Sequence, residues 1–170
     1  MDKYIPDLYQ KSIYEINYDK LHKRGIKCLL FDLDNTLVPI KCKEVDSTLT
    51  ELIEKLNKKG FKIIIFSSDD EDRVEMFKEQ LKMDAYSYTR NSYQKYMNEI
   101  LSKYKEDQIA VIGDEMLKDI AYGNKVGITT ILVNPIGKDG IFKRLKRLKE
   151  KRIMAKLRCN NLFVKGRYYE

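Results

Sequence analysis

Four short apolar runs punctuate the chain: "IKCLLFDL" (26–33), "FKIIIF" (61–66), "QIAVIG" (108–113) and "ITTILV" (128–133). Each is shorter than a typical helix and apolar almost without alternation. That pattern predicts strands buried on both faces. Between them the period changes. Leu49, Leu52, Ile53 and Leu56 recur at helical spacing, and Gly60 suits the C-cap. Val74, Phe77 and Leu81 form a second such face, with Ser68 and Glu71 spaced as a capping box. "NSYQKYMNEILSKY" (91–104) predicts a third helix, with Asn91 and Gln94 at N-cap and N3 spacing, and "EMLKDIAYGN" a short one ending near Gly123. "DAYSY" (84–88) is a short extended piece, and "DLYQKSIYEINYDKLHKRG" (7–25) reads as short helical pieces ending near Gly25. Strands alternating with helices predict parallel βαβ units in one α/β domain. The core spans 26–136 and a basic helix follows at 141–158. Ligands of such sheets collect at the C-terminal strand ends.

The 170 residues suffice for one domain with a real core. The net charge of +7 is unevenly placed: residues 141–158, "IFKRLKRLKEKRIMAKLR", hold nine Lys/Arg and one acid, leaving the remainder near neutral. Cys28, Cys42 and Cys159 are scattered without a CxxC, which points to free thiols and against zinc. The single histidine, His22, nearly excludes a His-based triad or His-rich metal site. No apolar run reaches the ~20 residues of a membrane span. "MDKYIPDLYQ" lacks a signal-peptide core. The expectation is a cytoplasmic protein, with a peripheral position on the inner face of the membrane left open.

Four strand ends carry chemistry. Asp32 and Asp34 end the first core strand, and side chains at i and i+2 of an extended chain point the same way. Two carboxylates so close repel unless a cation or proton joins them. Ser67 ends the second strand, Arg90 follows the short extended piece, and Gly113-Asp114 ends "QIAVIG" with Asp119 five residues on. Singly, these read as a capped turn, a helix N-cap, a surface arginine and a Gly-Asp turn. Together at one sheet edge they suit magnesium-assisted phosphoryl transfer, in which hard oxygen ligands hold the metal and a cation and hydroxyl hold the phosphoryl oxygens.

The run Asp32-Leu33-Asp34-Asn35-Thr36, then Ser67, Arg90 and Gly113-Asp114-x4-Asp119, resembles the four motifs of the haloacid dehalogenase superfamily of phosphatases. "VIGDEMLKDIAYGNKVGITTILVNPI" (111–136) and the basic helix after it resemble its subclass III A, the YqeG-like branch that includes phosphatidylglycerophosphate phosphatases. The resemblance implies a three-layer Rossmann-like fold with a parallel central sheet. It implies Asp32 as nucleophile and Asp34 as general acid and base. Ser67 and Arg90 would hold the phosphate, with Asn35, Thr36 and Ser68 lining it. Asp32, Asp34, Asp114 and Asp119 would hold Mg2+.

Two positions depart from the branch. Ser67-Ser68-Asp69 stands where it usually has Ser-Asn-Asn, and Asp69 is expected to turn away toward the helix N-terminus. Arg90-Asn91 stands where it usually has Lys-Pro, with Lys95 as the nearest substitute if Arg90 points elsewhere. The linkers after the first two motifs hold one helix each, so no substantial cap domain is expected and the site should be open.

The tail admits three readings. Ile141, Phe142, Leu145 and Leu148 lie along one side, with Lys143, Arg144 and Arg147 off that stripe. Such a helix can lie on anionic lipid, pack on the body, or attract a nucleic-acid backbone. The expected activity is hydrolysis of a phosphomonoester, with phosphatidylglycerophosphate as the substrate the branch implies. The competitors are a phosphatase of a soluble ester or phosphoprotein, and a non-catalytic RNA- or ribosome-associated module.

Overall fold

The computed structural model describes residues 2–137 and 141–162, with side chains omitted at 141–144 and 146. Six strands form one sheet: β1 (Leu8–Gln10), β2 (Cys28–Phe31), β3 (Lys62–Ser67), β4 (Asp84–Ser87), β5 (Ile109–Gly113) and β6 (Thr129–Val133). All neighbours are parallel, in the order β1-β6-β5-β2-β3-β4. The helices are α1 (Tyr18–Lys23), α2 (Ser47–Lys58), α3 (Glu71–Leu81), α4 (Tyr93–Leu101), α5 (Ala121–Val126) and α6 (Ile141–Cys159). β2 lies between β3 and β5, with Leu30 facing Ile64 on one side and Val111 on the other.

Alternation along the strands makes two cores. Leu29, Phe31, Ile63, Ile65 and Ile112 pack with Leu49, Ile53 and Leu56 of α2 and Val74, Phe77 and Leu81 of α3. Cys28, Leu30, Ile64, Phe66 and Val111 pack on the opposite face with Met97 and Ile100 of α4. Only α2 lies between β2 and β3, and only α3 between β3 and β4, so neither crossover carries an inserted cap. Among the described residues, no helix is long and apolar enough to cross a membrane.

Several local expectations are corrected. The opening segment is not all helical: Leu8–Gln10 adds a parallel strand to the β6 edge, and the Tyr9 hydroxyl donates to Asn134 Oδ1 at 2.5 Å. The N-cap of α3 is Asp70, which accepts from the Asp72 amide, not Ser68. The N-cap of α4 is Ser92, not Asn91: the Ser92 hydroxyl accepts from the Thr89 amide, and the Ser92 amide donates to the Thr89 hydroxyl. The helix expected to end near Gly123 begins with a wide π-helical turn, Met116–Ile120, and continues as α5 to Val126. Gly127, at φ 89°, ends it in the left-handed region that glycine tolerates.

The tail differs too. Leu145 and Leu148 face solvent at 62% and 56% exposure, while the buried contacts of α6 are made by Leu157, Glu150 and the half-buried Arg147. Leu157 packs with Tyr9, Met116, Ile120 and Leu132. The expected stripe positions Ile141 and Phe142, and the off-stripe Lys143 and Arg144, lie outside the described side chains.

Candidate active site

The end of β2 turns sharply. The Leu33 carbonyl accepts from the amides of Thr36, Leu37 and Val38, and the Asn35 amide donates to the Val38 carbonyl at 2.7 Å. Asn35 sits at φ 66°, a conformation that asparagine tolerates better than most residues. The Asp32 amide still donates to Ile112 of β5, so the sheet itself fixes that backbone. Asp32 and Asp34 are both buried.

Asp32 Oδ1 accepts from Ser67 Oγ at 2.8 Å and from Lys118 Nζ at 3.2 Å. Asp32 Oδ2 is buried and has no hydrogen-bond partner among the described residues. Thr36 Oγ1 donates to Asp114 Oδ1 at 3.3 Å, and the Glu115 amide donates to Asp119 Oδ2 at 3.1 Å. Asp32, Asp114 and Asp119 each offer a carboxylate oxygen within 4.8 Å of the others. Three buried hard oxygens, beside an orphaned carboxylate oxygen, fit a divalent cation.

Burial pushes the Asp32 and Asp119 carboxyls upward, against the opposing pull of the Lys118 ammonium. Burial, with Asp32 nearby, raises Asp114 to about 7, although Arg147 pulls it down. Burial alone would lower Lys118, but Asp119, Asp32 and Glu115 hold it well above its usual range, so it is cationic. An acid cluster held up in this way gains from any ion that replaces lost solvation.

Two arginines that the motifs do not contain anchor this edge. Arg73 of α3 donates from Nε to Asp34 Oδ1 at 2.8 Å, and its other nitrogens donate to the carbonyls of Pro39 and Cys42. Arg147 of α6 donates to the Asp114 carbonyl at 2.6 Å, pairs with the Asp114 carboxylate, and pairs with Glu150 at 2.9 Å. Helical spacing hints at Arg73, one turn ahead of Phe77 on the same face. Nothing in the sequence marks Arg147 among its basic neighbours.

Asp69 does not turn away. Its Oδ2 accepts from the Asp34 amide at 3.1 Å and lies 2.7 Å from Ser67 Oγ. The single Ser67 hydroxyl proton therefore serves Asp32 or Asp69 at one time. Asp70 caps α3 instead, which frees Asp69 for the loop. Asn35 and Thr36 are buried beside the acids, and the exposed Ser68 has its Oγ 3.4 Å from Lys118 Nζ. Arg90 is exposed in the turn after β4, and its guanidinium makes no hydrogen bond or ion pair with a described residue. Lys95 is exposed too, over the Tyr96 ring. The amine beside Asp32 is Lys118, which no motif in the sequence marks.

A parallel sheet with this strand-end chemistry is that of a phosphatase of the haloacid dehalogenase type. The model of the family described as "Mitochondrial PGP phosphatase" matches residues 1–137, and the chain belongs to that family. It is 35% identical over 158 residues to "Probable phosphatase YqeG" of Bacillus subtilis (strain 168), covering 91% of this chain and 92% of that protein. It is 22% identical over 145 residues to "Phosphatidylglycerophosphate phosphatase 1, chloroplastic/mitochondrial" of Arabidopsis thaliana, covering 79% of this chain and 42% of that protein. In fold it is similar to the crystal structure of the hypothetical protein XCC2798 of Xanthomonas campestris, at TM-score 0.54 and 14% identity over 74% of each chain. The protein is thus a hydrolase of phosphate monoesters.

Proposed function

We propose that the protein is a magnesium-dependent phosphatase that works through an aspartyl-phosphate on Asp32 and converts phosphatidylglycerophosphate to phosphatidylglycerol. The observation that carries the mechanism is Asp32 itself. It is a buried carboxylate with one oxygen held by Ser67 and Lys118 and the other without a partner among the described residues. In this reading Asp32 attacks phosphorus and the ester P–O bond breaks. Asp34 protonates the leaving oxygen, then takes a proton from the water that hydrolyses the aspartyl-phosphate. Arg73 ties that carboxyl to the 39–42 loop, so acid and loop hold one geometry. Ser67 orients Asp32, and Thr36 orients Asp114. Magnesium held by Asp32, Asp114 and Asp119, with the Asp34 carbonyl, would shield the repulsion between nucleophile and phosphate.

The substrate reading is supported by family membership, by crossovers without a cap, and by α6. The one acid of that helix, Glu150, is turned inward, where it accepts from the Leu117 amide and pairs with Arg147. The outward positions Leu145, Leu148, Lys149, Arg152 and Lys156 are all apolar or cationic and exposed. Such a face suits peripheral contact with anionic lipid on the inner side of a membrane. The test is phosphate release, with magnesium, from phosphatidylglycerophosphate in vesicles and from a panel of soluble esters, using wild type and Asp32→Asn. Release from the lipid that vanishes in the variant supports the reading. Release from soluble esters alone moves the substrate elsewhere.

A further inference from the structure

We infer that Lys118 is a catalytic residue, the cation that pairs with the Asp32 nucleophile and hydrogen-bonds the phosphoryl oxygens as the group passes to Asp32. The inference rests on the phosphatase reading of this site and assigns a role that the third motif gave to Arg90. Neither Arg90 nor Lys95 fills that role in the structure, because both are exposed and neither pairs with a site carboxylate.

The electrostatic need is plain from the residues present. Asp32, Asp69, Glu115 and Asp119 already crowd the strand ends, and a phosphate monoester adds further negative charge. A fixed cation must therefore stand at the nucleophile. Lys118 Nζ stands 3.2 Å from Asp32 Oδ1, 3.3 Å from Glu115 Oε1 and 3.5 Å from Asp119 Oδ1. It also reaches Ser68 Oγ, at 3.4 Å, on the exposed lip of the β3 loop. Its side chain is 13% exposed, so it is nearly enclosed. An ammonium offers three protons that can redistribute when a phosphoryl oxygen arrives.

The chain builds this position with a wide turn. Residues Met116–Ile120 form the π-helical turn, in which the amides of Lys118 and Asp119 both donate to the Glu115 carbonyl. The turn is pinned from outside, where the Leu117 amide donates to Glu150 of α6 at 3.1 Å. Lys118 and Asp119 are adjacent in sequence, and both are directed at the site. The cation has in effect moved from the third strand end to the fourth.

A lysine among acids could serve the fold alone, so the test needs a reading that only catalysis moves. The full-length protein is assayed with para-nitrophenyl phosphate at saturating magnesium, as wild type, Lys118→Met, Lys118→Arg and Arg90→Met. Orthovanadate inhibition and melting temperature are measured alongside. Lys118→Met should lower kcat/KM by roughly 10²–10³-fold, the usual cost of losing one preorganised charge-stabilising donor. It should also weaken vanadate inhibition at least tenfold, and its loss should exceed that of Arg90→Met at least tenfold. Lys118→Arg should recover part of the rate.

A Lys118→Met protein within about threefold of wild type, less than the range expected for a lost donor, overturns the inference. So does a slow variant with unchanged vanadate affinity, which would make Lys118 structural. Should Lys118→Met not fold, the wild-type lysine ammonium is followed by 15N NMR during titration with orthovanadate, using Lys118→Arg for assignment. A perturbed Lys118 signal supports the role and an unperturbed one refutes it. If wild type neither turns over nor binds vanadate, the phosphatase reading falls and takes this inference with it. If wild type is active and Lys118→Met is equally active, only the inference falls.

Discussion

Lowering pH should stabilise the metal-free protein, and Asp114 sets the size of the effect. Its folded value of about 7 lies above the ordinary aspartate value of 3.8, chiefly through burial and the charge of Asp32. A carboxyl raised by folding binds its proton more tightly in the native state. Its contribution is full below the unfolded pKa and is lost as pH rises through the folded one. Between pH 8 and pH 6 the extra proton taken up by native Asp114 amounts to about 1.4 kcal/mol. For a chain of this length that corresponds to a melting-temperature rise of roughly 3–5 °C. Asp32 and Asp119 are raised in the same direction and add to it. The assay is thermal unfolding in chelator at pH 6, 7 and 8, for wild type and Asp114→Asn. Wild type should melt higher at pH 6, and the variant should show a shallower slope. Excess magnesium should reverse the trend, because metal binding needs the carboxylates deprotonated. A flat or opposite slope in chelator, or a slope untouched by Asp114→Asn, would refute the account of a strained acid cluster.

Gly113→Ala would set its new methyl against Asp119 Oδ2, Cγ and Cβ. It should weaken magnesium binding, followed by calorimetry, at least about tenfold, a cost typical of disturbing a ligand's support. Gly123→Ala would overlap Thr130 Cγ2 at 2.5 Å and Val111 Cγ1 at 2.6 Å, so it should cost about 1–3 kcal/mol in urea unfolding. Arg147→Met leaves both the buried Glu150 and the buried Asp114 without their guanidinium and should destabilise by about 3 kcal/mol in urea unfolding. Lys149→Glu with Arg152→Glu should reduce sedimentation with phosphatidylglycerol-containing vesicles, since each basic residue near such a surface is worth about 1 kcal/mol.

The central strands were legible because a strand buried on both faces leaves a continuous apolar run. β1 was not, because three residues, Leu8-Tyr9-Gln10, carry no period and are strand only by pairing with β6. The acid cluster was legible because topology alone carries Asp32, Asp114 and Asp119 to the same edge. The caps were not. Ser67, Ser68, Asp69 and Asp70 are all capable N-caps, and the choice fell to Asp70 because Ser67 and Asp69 are drawn to the site. The cation was missed for a related reason. A 3.6-residue period fails across the π-helical turn, and Arg90 had the motif position but not the location.

The basic helix is two surfaces with opposite duties, and this decides how its role can be probed. Its inward side is structural. Leu157 is fully buried against Tyr9, Met116, Ile120 and Leu132, and Glu150 holds the Leu117 amide of the turn that carries Lys118. Arg147 clasps both the carbonyl and the carboxylate of Asp114. Deleting the helix would therefore expose apolar surface, unpin that turn and leave Asp114 without its guanidinium. Lost activity after truncation would say nothing about lipid. The outward side shares none of these contacts, so charge reversal at Lys149 and Arg152 alters only what the helix offers to a surface. A membrane held there would sit on the far side of the same helix that grips the Asp114 carboxylate. Vesicle binding and metal affinity should accordingly be coupled through Arg147, and by linkage each should shift the other by the same factor. Calorimetric magnesium titration with and without vesicles checks this, and identical affinities would show that the two faces act independently.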